Sequence, residues 1–200
     1  AMLEAALAAF HSRSDIDAEQ MLAVLLERDD DEFLGWLREQ TPAGSATQYI
    51  VDGLVGNERR LYKRIATFSR AYVEPEKQAA YERIYGMEAA EVYDLTDRLR
   101  ARLSWLVGRP LHPADVIIDT PPRDKDKLET VDLVYASASG EQFYRLHELS
   151  RVVAGMQDDF VKVVKKIRIF VEPRLAAQLA DKPDVGALLV DEIITKRKKR

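Results

Sequence analysis

The 200-residue sequence contains no cysteine. This absence excludes a disulfide framework, a thiolate-bound zinc site, an iron–sulfur cluster and a cysteine nucleophile. The sequence also lacks an apolar run of about 18 residues, so we predict no membrane-spanning helix. Its N-terminus shows no secretory signal, and we therefore expect a cytoplasmic protein.

An excess of positive charge is missing as well. The chain has 30 Lys and Arg against 34 Asp and Glu, a formal net charge of −4. A protein that coats duplex nucleic acid through bulk electrostatics is therefore not expected. Hydrophobic residues make up 46% of the sequence and charged residues 32%. These values and the length are typical of a single globular domain with a core of its own.

Only three histidines are present, and none has a second histidine four residues away. Imidazole metal sites usually need two or more histidines on one face or at converging loops. His112 with Asp115 is either a metal-binding pair or a turn before a strand, and we favour the turn. For His147 beside Glu148 we likewise do not favour metal binding. We predict no metal ligand in this chain.

No catalytic motif is found either: the sequence has no Gly-x-Gly-x-x-Gly, no Walker loop, no nucleophile elbow and no His-Glu-x-x-His. The acidic run Asp29–Glu32 is either a divalent-cation site or a helix N-cap with first-turn acids, and the cap is favoured. Glu88 and Glu91 are expected on an exposed helix face. The chain alone is therefore predicted to be non-catalytic.

The hydrophobic periodicity predicts an α+β fold. The N-terminal half reads as helical, and it ends in one long helix from Pro75 to about Val107 unless Gly86 breaks it. A small antiparallel or mixed sheet of short strands, packed with helices, follows. The expected strands are 115–119, a run through Val131–Tyr135, and 167–171; the expected helices are 148–165, 173–180 and 184–195.

The strongest candidate site is a short basic segment with one aromatic residue. It comprises Arg59, Arg60, Tyr62, Lys63 and Arg64. On a helix Arg59 and Lys63 are four residues apart and can meet one anion; on a strand they share a face. Guanidinium and ammonium groups are what phosphates require. The alternative is a solvated basic face paired with nearby acids.

Two further basic segments are present. Lys162, Lys165, Lys166 and Arg168 form a second candidate cluster, and Lys196–Arg200 is a run of five consecutive cations. Such a run repels itself and adds nothing to a core, so we expect a solvated tail.

Four segments, in this order along the chain, resemble the part of HD-domain phosphohydrolases that follows the HD core, in the group of dGTP and dNTP triphosphohydrolases. The segments are Leu25–Arg38, Arg59–Arg64, Asp115–Pro122 and Lys165–Pro173. The resemblance also takes in Met2–Phe10 and thus nearly the whole chain.

The resemblance implies that the metal-holding residues of the HD core should precede residue 1. A divalent metal is then expected only in that core, and no cofactor is expected in this chain. Residues 1–110 would be the helical region that follows the core, 111–195 a small α+β lobe, and 196–200 the basic tail. By motif match, Arg59 and Lys63 fall on positions that contact the phosphates of an effector nucleotide.

We therefore expect a non-catalytic accessory region of an HD-type phosphohydrolase. Its expected partners are the HD core or further copies of itself, together with a GTP or dNTP effector. Two alternatives remain open: a nucleic-acid-binding module that uses the basic clusters, and a purely structural interaction domain without a ligand.

Overall fold

The computed structural model describes residues 1–57, 59–121, 132–137, 140–145, 150–152, 155 and 165–195. The helices with defined bounds are α1 (Met2–His11), α2 (Ala18–Glu27), α3 (Asp30–Glu39), α4 (Ala46–Val55), α5 (Pro75–Tyr85), α6 (Ala89–Val107), α7 (Pro173–Ala180) and α8 (Val185–Ile194). The strands are β1 (Lys63–Ser69), β2 (Val116–Asp119), β3 (Asp132–Ser137), β4 (Gly140–Arg145) and β5 (Lys166–Val171). Within these described ranges, no helix is both long and apolar enough to cross a bilayer.

This architecture confirms the α+β class. Three strands form a sheet in the order β1-β5-β2. Strands β2 and β5 are antiparallel, with Val116 opposite Val171 and Asp119 opposite Arg168. Strands β3 and β4 form a separate antiparallel pair.

The expected long helix is two helices, α5 and α6. Helix α5 ends at Tyr85, and Gly86 follows as its C-cap residue. The Glu91 carboxylate then accepts the backbone N–H of Glu88 at 3.0 Å, which caps the start of α6. The break at Gly86, which the sequence left open, is therefore real, because a glycine and a new N-cap lie within three residues.

Two strands were not predicted. Strand β1 lies inside the half of the chain that we expected to be helical, and β4 begins at Gly140, where the sequence indicated only the end of a strand. The expected helix 148–165 falls mostly outside the described residues. Expected strands 115–119 and 167–171 are confirmed to within one residue by β2 and β5.

The acidic run Asp29–Glu32 forms a helix cap. Asp29 Oδ1 accepts the backbone N–H of Glu32 at 2.8 Å, and Glu32 Oε2 accepts the N–H of Asp29 at 3.3 Å. This reciprocal pair satisfies two donors that the helix itself leaves unpaired. The capping interpretation is confirmed, and it explains why acids are concentrated at this point.

The chain divides into two compact units. The first comprises Ala1–Ala66, Met87–Asp119 and Arg168–Arg200, and the second comprises Thr67–Gly86 and Thr120–Ile167. The division expected from the sequence, 1–110 and 111–195 with a tail, stays a prediction. The tail 196–200 lies outside the described residues.

The core of the first unit is built where α4 packs against α1 and α3. It is a continuous apolar cluster that also contains one residue from the segment before β1 and two from the β2 region: Ala6, Phe10, Phe33, Leu37, Ile50, Val51, Tyr62, Ala114 and Ile117. Helix α6 packs against β2 and α8, and its residues Leu95, Leu99 and Leu103 are fully buried. Arg98 and Glu192 add an ion pair of 3.2 Å between these two helices.

The second unit contains α5 and the β3–β4 pair. Its best-defined contact is the ion pair between Arg70 Nε and Glu82 Oε1, at 2.8 Å. The Arg70 guanidinium also lies 5.6 Å from the ring centroid of Tyr81 and 5.1 Å from that of Tyr85. The charged hydrogen bond to Glu82 raises the pKa of Arg70 further.

Substitutions at Gly108 and Gly35 test the backbone conformation at these two positions. Gly108 ends α6 with φ of 70°, whereas Gly35 lies inside α3, and a Cβ would meet nothing within 4 Å at either position. Gly108→Ala should destabilise the protein by about 1–2 kcal/mol, since a side chain disfavours the left-handed conformation. Gly35→Ala should stabilise it by about 0.5–1 kcal/mol, because alanine favours a helix. Urea denaturation of both variants measures this difference, and effects of the same sign would contradict it.

Candidate phosphate-binding site

The basic segment 59–64 leaves α4 along a fixed path. The backbone N–H of Arg60 donates to the carbonyl oxygen of Gly53 at 2.8 Å. A Cβ on Gly53 would lie 3.3 Å from the Arg60 carbonyl oxygen, so glycine allows the two backbones to come this close. The segment is therefore held against the C-terminal half of α4 before β1 begins at Lys63.

Arg60 is bound to its own chain. Its guanidinium lies 4.4 Å from the ring centroid of Tyr49, and its Nη2 donates to the Tyr49 carbonyl oxygen at 3.1 Å. Cation–π contact and the hydrogen bond both fix the side chain on α4. Arg60 was a candidate phosphate ligand, and the structure places it in this internal contact.

Tyr62 fixes the segment from the other end. Its side chain is 8% exposed, and its hydroxyl donates to the carbonyl oxygen of Ala114 at 2.7 Å. Burial is the largest cause that raises the pKa of Tyr62. Burial also raises the pKa of Tyr49, followed by the negative charges of Asp115 and Glu172. Both phenols are therefore held in the neutral form.

The chain alternates outward and inward from Arg59 to Lys63. Arg60 and Tyr62 turn inward, and Arg59, Leu61 and Lys63 are exposed. The extended alternative was therefore the right one for this segment. Four residues of extended chain separate the Cα atoms of Arg59 and Lys63 by about 13 Å, compared with about 6 Å on a helix.

The cations Arg59, Lys63 and Arg64 are exposed. Among the described residues, no carboxylate lies within 4.0 Å of any of the three. Arg64 follows Lys63 in β1, so the strand directs these two side chains to opposite faces. The structure thus leaves three of the four candidate side chains available to a ligand.

Two cations of the second basic cluster, Lys165 and Arg168, make contacts within the chain. Arg168 Nη1 lies 3.2 Å from Asp119 Oδ2, across the β2–β5 pair. Lys165 is 7% exposed, and its Nζ lies 5.9 Å from the Tyr85 ring centroid. Lys162 lies outside the described residues. Arg168 and Lys165 thus serve internal contacts.

His112 and Asp115 form a turn before β2, as favoured from the sequence. The Asp115 carboxylate accepts the backbone N–H of His112 at 2.8 Å, and His112 Nδ1 accepts that of Ala114 at 3.2 Å. His112 Nε2 lies 3.3 Å from the Gly44 carbonyl oxygen, and its ring stacks on Tyr49 with centroids 4.4 Å apart. Within the described part of the chain, no group of three or more potential ligands is suited to a metal ion. His147 lies outside that part.

Two buried acids lie beside this site: Asp115, which the sequence analysis placed in the turn with His112, and Glu172, which it missed. Asp115 and Glu172 are each 3% exposed. Glu172 Oε2 accepts the backbone N–H groups of Arg174 and Leu175, at 2.8 and 3.1 Å, and so caps α7. A signal was present in the sequence, because a proline such as Pro173 is typical of the first position of a helix and the residue before it is then the N-cap. The Arg60–Tyr49 contact has no comparable signal, since eleven residues separate the two side chains.

Removal of the Tyr62 hydroxyl should destabilise the fold. In Tyr62→Phe the Ala114 carbonyl loses its partner in a buried position, at a cost of about 1–3 kcal/mol. The matched control is Tyr93→Phe, because Tyr93 is 63% exposed and such a change usually stays within about 0.5 kcal/mol. Urea denaturation measures both variants, and equal stabilities would show that the hydrogen bond contributes nothing.

Because of Tyr62, we expect the free energy of unfolding to depend on pH in the alkaline range. An unfolded tyrosine loses its proton near pH 10, whereas folding raises the pKa of Tyr62. The stabilisation is complete below about pH 10 and decreases above it, by up to about 1.4 kcal/mol per pH unit for one group. Unfolding free energies measured from pH 8 to 11.5 should fall less steeply in Tyr62→Phe than in Tyr93→Phe. Parallel profiles would contradict the prediction.

Comparison with known proteins assigns the chain to a family. The family described as HD associated region matches residues 1–184. No curated protein and no solved structure matches the chain significantly. The family match confirms the resemblance to HD-domain proteins that the segment order indicated. The chain belongs to the HD associated region family and is an accessory region of HD-domain proteins.

Proposed function

We propose that this region regulates its HD-domain protein by binding a nucleotide effector through Arg59 and Lys63. One observation carries the proposal: the two cations are exposed on the same side of an extended segment and have no acidic partner among the described residues. An arginine and a lysine in this position supply a guanidinium fork and an ammonium for phosphate oxygens. The match of these two positions to the effector-contacting segment of HD-domain phosphohydrolases supports the same assignment.

The spacing of the two cations favours a polyphosphate over a single phosphate. Their Cα atoms are about 13 Å apart on extended chain, so the two heads span an anion better than they converge on one point. A nucleoside triphosphate presents successive phosphates, so that the two long side chains could each bind a different one. Arg64, on the other face of β1, is a candidate for a further phosphate contact.

Arg60 has a different task in this proposal. Its guanidinium rests on Tyr49 and its backbone on Gly53, so it holds the segment in the geometry that exposes its neighbours. Binding of a flexible segment would first require that segment to be ordered, at a cost in affinity. Arg60 and Tyr62 remove that cost before the ligand arrives.

The test is calorimetric titration of GTP and dGTP into the chain, and in parallel into the chain together with its HD domain. Each charge-assisted contact contributes about 1.5–3 kcal/mol, so Arg59→Ala/Lys63→Ala should weaken binding by about two orders of magnitude or more. The control Arg13→Ala/Lys182→Ala removes the same charges from two other exposed positions and should leave the affinity unchanged.

Two results would contradict the proposal: equal affinities of the wild type and the Arg59/Lys63 variant, or no wild-type binding in either form. The salt dependence of the binding affinity distinguishes nucleotide binding from the nucleic-acid alternative. A nucleic-acid strand that contacts several phosphates loses affinity steeply with the logarithm of salt concentration, whereas a single nucleotide gives a shallower slope and selects its base. A steep slope without base preference would favour the alternative.

A further inference from the structure

Helix α2 carries a wide apolar face, and only part of it packs on the core. Met21 and Val24 are partly buried against the core of the first unit. Leu22, Leu25 and Leu26 are 55%, 42% and 79% exposed. Leu22 and Leu26, four residues apart, lie on one side of the helix away from the core contact, and Leu25 lies between them and Met21. We call the three leucines the α2 apolar face, and no described residue covers it.

This face ends beside an acidic groove. The two residues after Leu26, Glu27 and Arg28, line a groove of about 600 Å³ with four residues of α3, namely Glu32, Gly35, Trp36 and Glu39. We call it the α2–α3 groove. Its three carboxylates outnumber its one guanidinium, and Arg28 already lies 3.9 Å from Glu27 and 5.8 Å from the Trp36 ring centroid. The groove is therefore negatively charged and includes an aromatic side chain.

Gly35 adds a third, independent observation. It lies in the middle of α3, where glycine costs about 0.5–1 kcal/mol relative to alanine. A Cβ at this position would meet nothing within 4 Å, so no neighbour in the described chain requires the glycine. A glycine in a groove wall lets the backbone of another segment come close, as at helix contacts with small residues. The chain thus carries a destabilising residue at the point where an external segment would approach.

We propose that the α2 apolar face and the α2–α3 groove dock the HD domain with which this region associates. The docking surface of the HD domain would carry apolar side chains flanked by Lys or Arg, to complement the leucines and the three carboxylates. We choose an HD domain as the partner because the chain belongs to the HD associated region family. Exposed apolar patches of this kind are typical of protein interfaces.

A second copy of the chain fits this surface less well. A two-fold contact brings the same patch of both copies together. The carboxylates of Glu27, Glu32 and Glu39 would then face their own equivalents, and like charges across an interface repel. Charge complementarity therefore favours a partner with the opposite charge.

Site-specific labelling tests the proposal directly, because the sequence has no cysteine of its own. Leu26→Cys should react rapidly with a maleimide in the chain alone, and at least tenfold more slowly in the protein that includes the HD domain. The control is Val73→Cys, at a position that is 92% exposed in the second unit, and its rate should be the same in both forms. Equal rates for Leu26→Cys would overturn the proposal. Protection that depends on concentration in the chain alone would assign the face to a second copy and overturn it as well.

Binding of a separately produced HD domain gives a second measurement. Leu22→Ser/Leu26→Ser should weaken it at least tenfold with no loss of thermal stability, whereas Val73→Ser should have no effect. Glu39→Lys should weaken binding more at low salt than at high salt, while Glu76→Lys, at an exposed position of α5, should not. Unchanged binding by the leucine variant would overturn the docking surface, whatever the result of nucleotide titration at Arg59 and Lys63.

Discussion

The hydrogen bond from the Tyr62 hydroxyl to the Ala114 carbonyl is the constraint on which the first unit depends. It joins the segment that follows α4 to the turn before β2, and it lies in the apolar cluster of α1, α3 and α4. A buried phenol of this kind must keep both its partner and its proton. The path of the chain between α4 and β1 is fixed as a result, and with it the side on which each charge of that segment lies.

The basic residues fall into two groups: some contact rings or acids of their own chain, and others are exposed. Arg60, Arg98 and Arg168 each contact a ring or an acid of their own chain. The contacts of Arg98 and Arg168 connect elements that are far apart in sequence, and Arg60 holds the segment after α4 on that helix. Arg59 and Lys63 remain exposed on the opposite side of the extended segment. The same core that engages one set of cations thus presents the other set.

The two proposed surfaces lie on different elements of the first unit. The proposed phosphate-binding segment leads from α4 into the start of β1, and the proposed docking surface is formed by α2 and α3. In the two proposals, one surface would attach the HD domain and the other would receive the effector. A rigid helical core between the two surfaces would allow an effector to act on the HD domain, because both surfaces are anchored in one apolar cluster.

Local patterns in the sequence determined the α+β class, the bounds of α7 and α8 to within one residue, the cap at Asp29–Glu32 and the turn at His112–Asp115. These features depend on residues within four positions of one another, which is the range of helix periodicity and capping. The same patterns found Arg59 and Lys63 as exposed cations but left open whether their segment is a helix or a strand. Only the tertiary structure decided that question, because Tyr62 bonds to Ala114 and Arg60 to Tyr49 across long separations. It also decided which basic residues are engaged, since ion-pair partners come from elements that the chain brings together only when it folds.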